Sequence, residues 1–471
     1  MKYKNFGQTD KNVSVIGLGG TFPENLFFNN DDIDKAVKLV MSASEMGINY
    51  FDTAPDYAKG KSEFVFGLAF KQMKKEFFVS TKSNYYSDPT SDLLRRRLDN
   101  SLKILGLEKI NFYHIWSIMN LEEYNNIKKH GGPLWGALKA KEEGLIEHLC
   151  FSTHCKAEET EIIINEGYFE GVTITYNVLN ANYFERGLIA AYNKGLGIAI
   201  MNPLGGGLIP RNPETFAYLK EFHDDTVSIA ALRYLINKKE ITLTLTSAEN
   251  VDQLNENIKA SDDDRILDEK YYERIKYNTS DKYSSFCTSC LYCHGCPAKL
   301  DIRVLMMEYD QFILFNKNPD LLYSNVNIYW AYSYKKQPKC IECGICEKKC
   351  TQHLPIIKRI KEIYKINEKL IDFLKQITPD VGIYGTGSYT KEIFDRYENE
   401  LGKIDFNIFL FDSNPEKWGL TYRDKFRIYS PDDILKLGIK KIIIATKTYY
   451  NEIYEKLKYL EKEDIIFILP N

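Results

Sequence analysis

The 471-residue chain has little that would take it to a membrane or to a nucleic acid. No stretch approaches the roughly 18 consecutive apolar residues that a membrane span needs. The opening segment, MKYKNFGQTDKNVSVIGLGG, lacks the apolar run of a secretory signal. Neither sign of charge dominates: 62 Lys and Arg stand against 65 Asp and Glu, a formal net charge of −3. That balance excludes the basic footprint of a nucleic-acid partner. The absences together predict a cytoplasmic protein with no membrane span, and in that compartment thiols stay reduced.

Cysteine is present, and its placement is the most specific signal in the chain. Of ten cysteines, Cys150 and Cys155 are scattered. The other eight form two runs, Cys287, Cys290, Cys293 and Cys296, then Cys340, Cys343, Cys346 and Cys350. Zinc closes a tetrahedron from two C-x2-C pairs. An iron–sulfur cluster takes four thiolates, three from a tight C-x2-C-x2-C turn and one from elsewhere. Both runs fit the second recipe, and KCIECGICEKKC has the C-x2-C-x2-C-x3-C spacing of bacterial ferredoxins. The spacing points to two [4Fe–4S] clusters, with zinc as the alternative. In two-cluster ferredoxins the fourth cysteine of a run ligates the other cluster. One cluster then takes Cys287, Cys290, Cys293 and Cys350, and the other Cys340, Cys343, Cys346 and Cys296. The segments IRVLMMEYDQFILFN, NVNIYWAYSYKK and LPIIKRIKEIYKINEKLIDFLKQI read as helices. This region, residues 266–375, resembles an α-helical ferredoxin.

Ahead of the cysteines, short apolar strands alternate with amphipathic helices. The strands are VSVIGLG, NYFDT, FFVSTK, INFYHIW, HLCFS, VTITYN, GIAIMNP and ITLTLTS. Helical patterns such as SDLLRRRLDNSLKILG and AEETEIIINEG lie between them. Eight strand-then-helix units predict a (β/α)8 TIM barrel over residues 1–265, with its chemistry at the C-terminal ends of the strands. Beyond residue 375 the order strand, Gly turn, helix, strand ending in an acid predicts a small open α/β, Rossmann-like domain over 376–471. GTGSYT contributes Gly385 and Gly387 to a G-x-G turn, and Asp412 stands where a ribose hydroxyl partner belongs. The third glycine of that fingerprint is Thr390, so the turn alone is a weak motif, open to a nucleotide, a nucleotide-sugar, or a docking role with no ligand.

The motifs MKYKNFGQTDKNVSVIGLGG, NYFDTAPDYAKGKSEFVFG, FFVSTKS and IMNPLGGGLI resemble the aldo-keto reductases, and more closely the branch whose barrel is fused to a two-cluster ferredoxin. The likeness spans residues 1 to 370. It implies hydride exchange between a nicotinamide and a carbonyl carbon, with a Tyr handling the proton beside a Lys, an Asp and a His. By motif position these are Tyr57, Lys82 and Asp52. The family's His position holds Trp116, with His114 two residues earlier and His154 at the end of the fifth strand. Two residues is about 6.6–6.8 Å along a strand, too far for a direct exchange of roles. A phenol with a pKa near 10 is a poor acid at neutral pH, and a neighbouring ammonium lowers it.

The resemblance also implies cofactor contacts. Ser152 and Thr173 fall where the nicotinamide amide is held, Ser247 and Gln253 where a 2′-phosphate is gripped, and Glu256 and Asn257 where adenine lies. The uncharged grip gives no preference between NAD and NADP, and it leaves open a barrel that binds no nicotinamide. No motif marks a flavin, which barrels bind without a clear sequence mark, so a flavin stays open. The expectation is an iron–sulfur oxidoreductase acting on a carbonyl/alcohol pair of a small substrate, a sugar-derived one among the candidates, exchanging electrons with a carrier such as a ferredoxin or flavodoxin. The alternative is a non-catalytic electron-transfer or sensing protein on a degenerate barrel.

Overall fold

An antiparallel hairpin opens the chain, β1 (Tyr3–Asn5) against β2 (Asn12–Ser14). Eight parallel strands follow: β3 (Ile16–Gly19), β4 (Tyr50–Asp52), β5 (Phe78–Asn84), β6 (Ile110–Ile118), β7 (Ile146–Thr153), β8 (Gly171–Thr175), β9 (Gly197–Met201) and β10 (Leu243–Thr246). β10 pairs back to β3 and closes the barrel, as the eight-unit alternation predicts. The computed structural model describes all residues except 22–29, 224, 262–264, 280–285, 289, 291, 315–338, 447–449 and 469–471. The predicted helix NVNIYWAYSYKK lies outside the described residues. The described chain falls into two compact units, Met1–Cys290 and Leu291–Asn471.

The hairpin explains which end of the barrel is open for chemistry. Phe6 lies between its strands and packs 4.2 Å from Phe112 among Tyr50, Phe78, Cys150, Ala199 and Leu243. A Cβ at Gly197 would sit 2.1 Å from the Phe6 ring, so glycine there makes room for this plug. The N-terminal end is thereby filled with apolar side chains, and polar groups are left to the C-terminal ends.

Local signals set the helix limits. The helix Ser91–Leu105 starts at Thr90, whose side chain accepts from the Leu93 amide, and ends at Gly106 in the left-handed conformation, φ 69°. Pro133 opens the helix Pro133–Glu142, where its missing N–H costs nothing. The helix Ser62–Phe70 has no polar face (Val65, Phe66, Ala69 and Phe70 are all buried), so no amphipathic period marks it in the sequence.

In the second unit the helix Ile302–Leu314 packs against the long helix Ile356–Leu374, which buries Ile356, Ile360, Ile363, Ile371 and Leu374 along one face. A six-stranded mixed sheet follows: β11 (Val381–Tyr384), β12 (Phe409–Phe411), β13 (Thr421–Tyr422), β14 (Phe426–Tyr429), β15 (Lys441–Ile444) and β16 (Ile466–Ile468). The order is β13-β14-β12-β11-β15-β16, parallel except for β13 against β14. One core lies around Leu374, Ile383 and Phe394, and another around Phe411, Ile442 and Leu460. No helix among the described residues is long and apolar enough to cross a membrane.

Candidate active site at the barrel mouth

Asp52 ends β4 and Lys82 stands near the end of β5. Their side chains form a buried ion pair through Asp52 Oδ1, with 6% and 4% of the respective side chains exposed. Ser80 Oγ donates to the same oxygen at 2.8 Å. Ser80 lies two residues before Lys82, so strand alternation puts both on the inner face. Sequence reasoning missed Ser80, although that spacing was its signal.

Tyr57 follows β4 on a short turn and is half-buried. Lys82 Nζ lies 5.2 Å from the centre of the Tyr57 ring. Ala58, Lys59 and Gly60 are all left-handed, at φ 51°, 56° and 82°. Two of the three carry a Cβ, which costs roughly 1–2 kcal/mol each in that region. The turn that presents Tyr57 is therefore held in place by its surroundings.

Trp116 occupies the predicted His position, and its ring meets Tyr57 edge to face, 5.5 Å between centres and 89° between planes. A register shift in the β6–β7 pairing between Ile115 and Ile118 accompanies it. Within that shift Ser117 is left-handed, φ 69°, and its amide donates to Ser152 Oγ at 2.9 Å. Such irregularities re-aim side chains next to active sites. Ser152 thus braces the strand that carries Trp116.

His114 is buried below this level. Its Nδ1 is 3.2 Å from Ser80 Oγ and its Nε2 is 3.1 Å from Thr173 Oγ1. Burial, then the Lys82 ammonium, lowers its pKa well below 6.5, so the ring is neutral. His154 is also buried, with Nδ1 3.3 Å from Thr175 Oγ1, and burial pulls it down to about 3. The structure joins Asp52, Lys82, Tyr57 and His114 in one cluster and pairs His154 with Thr175 on β8.

The remaining predicted cofactor residues lie at the last strand and its helix. Ser247 Oγ is 2.9 Å from Thr21 Oγ1. Glu256 accepts from Thr226 Oγ1 at 2.5 Å, and Asn257 is buried.

In the second unit, Cys293, Cys296, Cys340, Cys343 and Cys346 line one pocket whose other walls include Pro297, Ile302, Ile345 and Ile357. Four of these are the set expected for the second cluster, and Cys293 joins them. Backbone amides point at sulfur: Glu342 N lies 3.4 Å from Cys340 Sγ, and Leu354 N 3.4 Å from Cys350 Sγ. None of these cysteines is in a disulfide, and burial pushes the Cys346 thiol up to about 11. Among the described residues no three His, Cys, Asp or Glu side chains are gathered closely enough to hold a metal ion. Donor type and amide placement fit a thiolate-bound group; a closed ligand shell is not formed.

At the Gly turn of the sheet, Gly385 has φ 104° and a Cβ there would meet Ala445 O at 3.2 Å. Gly387 precedes the helix Ser388–Leu401. Asp412 is engaged within its own chain: it accepts from the Thr386 amide at 3.2 Å and pairs with Lys417 Nζ at 2.8 Å. Burial raises the Asp412 pKa, but the Lys417 and Thr386 hydrogen bonds outweigh it and hold the carboxyl below its usual range.

Residues 15–277 match the Aldo/keto reductase family, and residues 379–467 match a family described as "C2185-like, N-terminal". The chain is similar to the L-galactose dehydrogenase of Arabidopsis thaliana, 26% identical over 280 residues, 54% of this chain and 86% of that protein. It is similar to the NADH-specific methylglyoxal reductase of Escherichia coli, 23% identical over 44% of this chain and 69% of that protein. It is also similar to a probable voltage-gated potassium channel subunit beta of Oryza sativa, 24% identical over 59% of this chain and 96% of that protein. Among solved structures, an aldo-keto reductase of Bacillus halodurans in its holo form shares the fold, with TM-score 0.51 and 19% identity over 59% of this chain and 96% of the other.

Proposed function

The chain belongs to the aldo/keto reductase family, and from that premise we propose that its barrel interconverts a carbonyl and an alcohol on a small substrate, with Tyr57 as the proton donor or acceptor. The carrying observation is the buried Asp52–Lys82 pair with the Lys82 ammonium on the Tyr57 ring. The ammonium favours the phenolate, and Asp52 holds the ammonium in the barrel wall. A proton can then pass between Tyr57 Oη and the substrate oxygen at neutral pH. A nicotinamide, when bound, supplies or accepts the hydride at the substrate carbon. The polar groups expected around its amide fit one. Ser152 Oγ accepts from Ser117 and keeps its hydrogen to donate, and Thr173 Oγ1 keeps lone pairs to accept. These two residues are register partners on β7 and β8. Ser247, Glu256 and Asn257 complete the assignment at the adenosine end.

The eight clustered cysteines support two [4Fe–4S] clusters in a helical ferredoxin-type domain, residues 266–375, between the barrel and a Rossmann-like domain from 376. Bound clusters would carry single electrons from a ferredoxin- or flavodoxin-like partner. Gly385, Gly387 and the Asp412 turn make the last domain a nucleotide-binding or docking module.

Two measurements test this reading. Anaerobic purification should yield about eight iron and eight sulfide per chain. Replacing Tyr57 with Phe should cut kcat by about a hundredfold or more while the far-ultraviolet spectrum stays unchanged. A second reading, a scaffold for sensing or electron transfer, draws on Trp116 standing at the family's His position and packing on Tyr57. Under it Tyr57→Phe leaves every redox property untouched, and that result would remove the catalytic assignment.

A further inference from the structure

We propose that His114 is a positioning residue: it ties Thr173 to the Asp52–Lys82 pair through one hydrogen-bond chain that runs in a single direction across the barrel interior. The catalytic half of this statement rests on the function proposed above; the hydrogen-bond chain does not.

The direction follows from counting hydrogens. Asp52, paired with Lys82, is a carboxylate and only accepts. Ser80 has one hydroxyl hydrogen, and it goes to Asp52 Oδ1. Ser80 Oγ must then accept from His114, so Nδ1 carries the ring hydrogen. The ring is neutral, so Nε2 is a bare acceptor, and Thr173 Oγ1 must donate to it. The order is Thr173 to His114 to Ser80 to Asp52, with Lys82 donating to the same carboxylate oxygen. All five side chains are buried.

Burial and the Lys82 charge favour the neutral ring, against the Phe112 carbonyl, which also faces it as an acceptor. Lys82 is the register partner of His114 on β5 and Cys150 its partner on β7. Burial holds the Cys150 thiol and the Tyr50 phenol far above their usual ranges, so both stay neutral. The charges near the ring are Lys82 and the Asp52 that neutralises it. Protonating His114 would set a second cation beside Lys82 in a fully buried site.

Two consequences follow. Asp52 receives a donor that cannot rotate away, because Ser80 is itself held from behind. Thr173 spends its hydrogen on His114 and keeps only lone pairs, next to Ser152, which keeps a hydrogen. His114 therefore fixes both the carboxylate that anchors Lys82 and the polarity of the Ser152–Thr173 pair.

The test is the nitrogen-15 imidazole spectrum of the full-length protein, with His114 assigned by its loss in His114→Asn. The expected signal is one neutral Nδ1–H tautomer that does not titrate between about pH 5 and 8. Ser80→Ala should move hydrogen to Nε2, because Thr173 can then accept. A ring that titrates near its ordinary value, or an Nε2–H tautomer in the unaltered protein, overturns the chain. Turnover tests the positioning role. His114→Asn keeps an N–H near the Nδ1 position and should retain kcat, whereas His114→Gln and His114→Leu should lose about tenfold, the worth of one hydrogen bond, at unchanged KM. Equal kcat in all three variants overturns positioning. If the unaltered protein shows no carbonyl chemistry, the proposed function falls, and the spectrum still decides the chain.

Discussion

Two aspartate–lysine pairs stand at the ends of parallel strands, one in each unit, and they differ in what surrounds them. Asp52 and Lys82 come from neighbouring strands, have side chains 6% and 4% exposed, and are backed by Ser80 and an aromatic face. Asp412 and Lys417 lie five residues apart on one loop, with side chains 10% and 40% exposed, and share Thr386. The residue types match, but the solvent does not. In the barrel the charges have given up water, so each depends on the other. In the sheet, water screens Lys417, and the pair acts as a latch on the Gly turn.

The largest expected difference separates them. Lys82→Met leaves the Asp52 charge buried without its cation and should cost about 3–5 kcal/mol in denaturant unfolding. Lys417→Met should cost under about 1 kcal/mol after screening. Pairing Lys82→Met with Asp52→Asn should recover most of the loss, since the damage is an uncompensated charge. Equal losses at the two lysines would erase the distinction drawn from burial.

Glu123 supplies the missing third case, a buried carboxyl held by a neutral partner. Tyr86 Oη donates to it at 3.2 Å, and burial pushes its pKa up to about 7. A carboxyl raised in the folded state opposes folding when ionised. Stability should fall as pH rises from the unfolded value, near 4.5, to about 7, by up to about 3 kcal/mol. Glu123→Gln removes that dependence. It should raise the Tm at pH 8 and leave it unchanged at pH 4; a gain of the same size at both pH values would show that charge is not the cause.

The barrel was legible in the sequence because each strand carries a dense apolar run and most intervening helices have one wet face. Ser62–Phe70 escaped because it is buried nearly all round. Asp52, Tyr57 and Lys82 were legible because motif spacing carried them. The role of His114 was not, because it depends on Ser80 on the neighbouring strand β5 and on Thr173 on β8, two strands round the barrel on the other side. The strand irregularity at Ser117 was hidden for the same reason: it exists only against β7. Asp412 was legible as a strand-end acid, but Lys417 and Thr386 as its partners were not, because that contact is made by the fold of the loop.

The smallest effect sharpens the comparison at the level of backbone. Both units contain left-handed residues with a Cβ: Ser117, φ 69°, beside Trp116, and Asp424, φ 53°, in the turn between β13 and β14. In the hairpin a left-handed turn suits the strand twist and serves only connection. At Ser117 the same conformation sits inside a register shift that carries an aromatic ring onto Tyr57. Glycine relieves the strain at either place but adds freedom to the unfolded chain, so each net change should stay within about 1 kcal/mol. Stability therefore cannot tell the two sites apart, whereas substrate binding can. Ser117→Gly frees the strand segment that aims Trp116 and should raise KM about threefold to tenfold, a loss of about 0.7–1.4 kcal/mol in binding. Asp424→Gly should leave KM where it was. A Ser117→Gly protein with unaltered KM would mean that Ser152 and the apolar packing of β6 aim Trp116 without help from the strained residue.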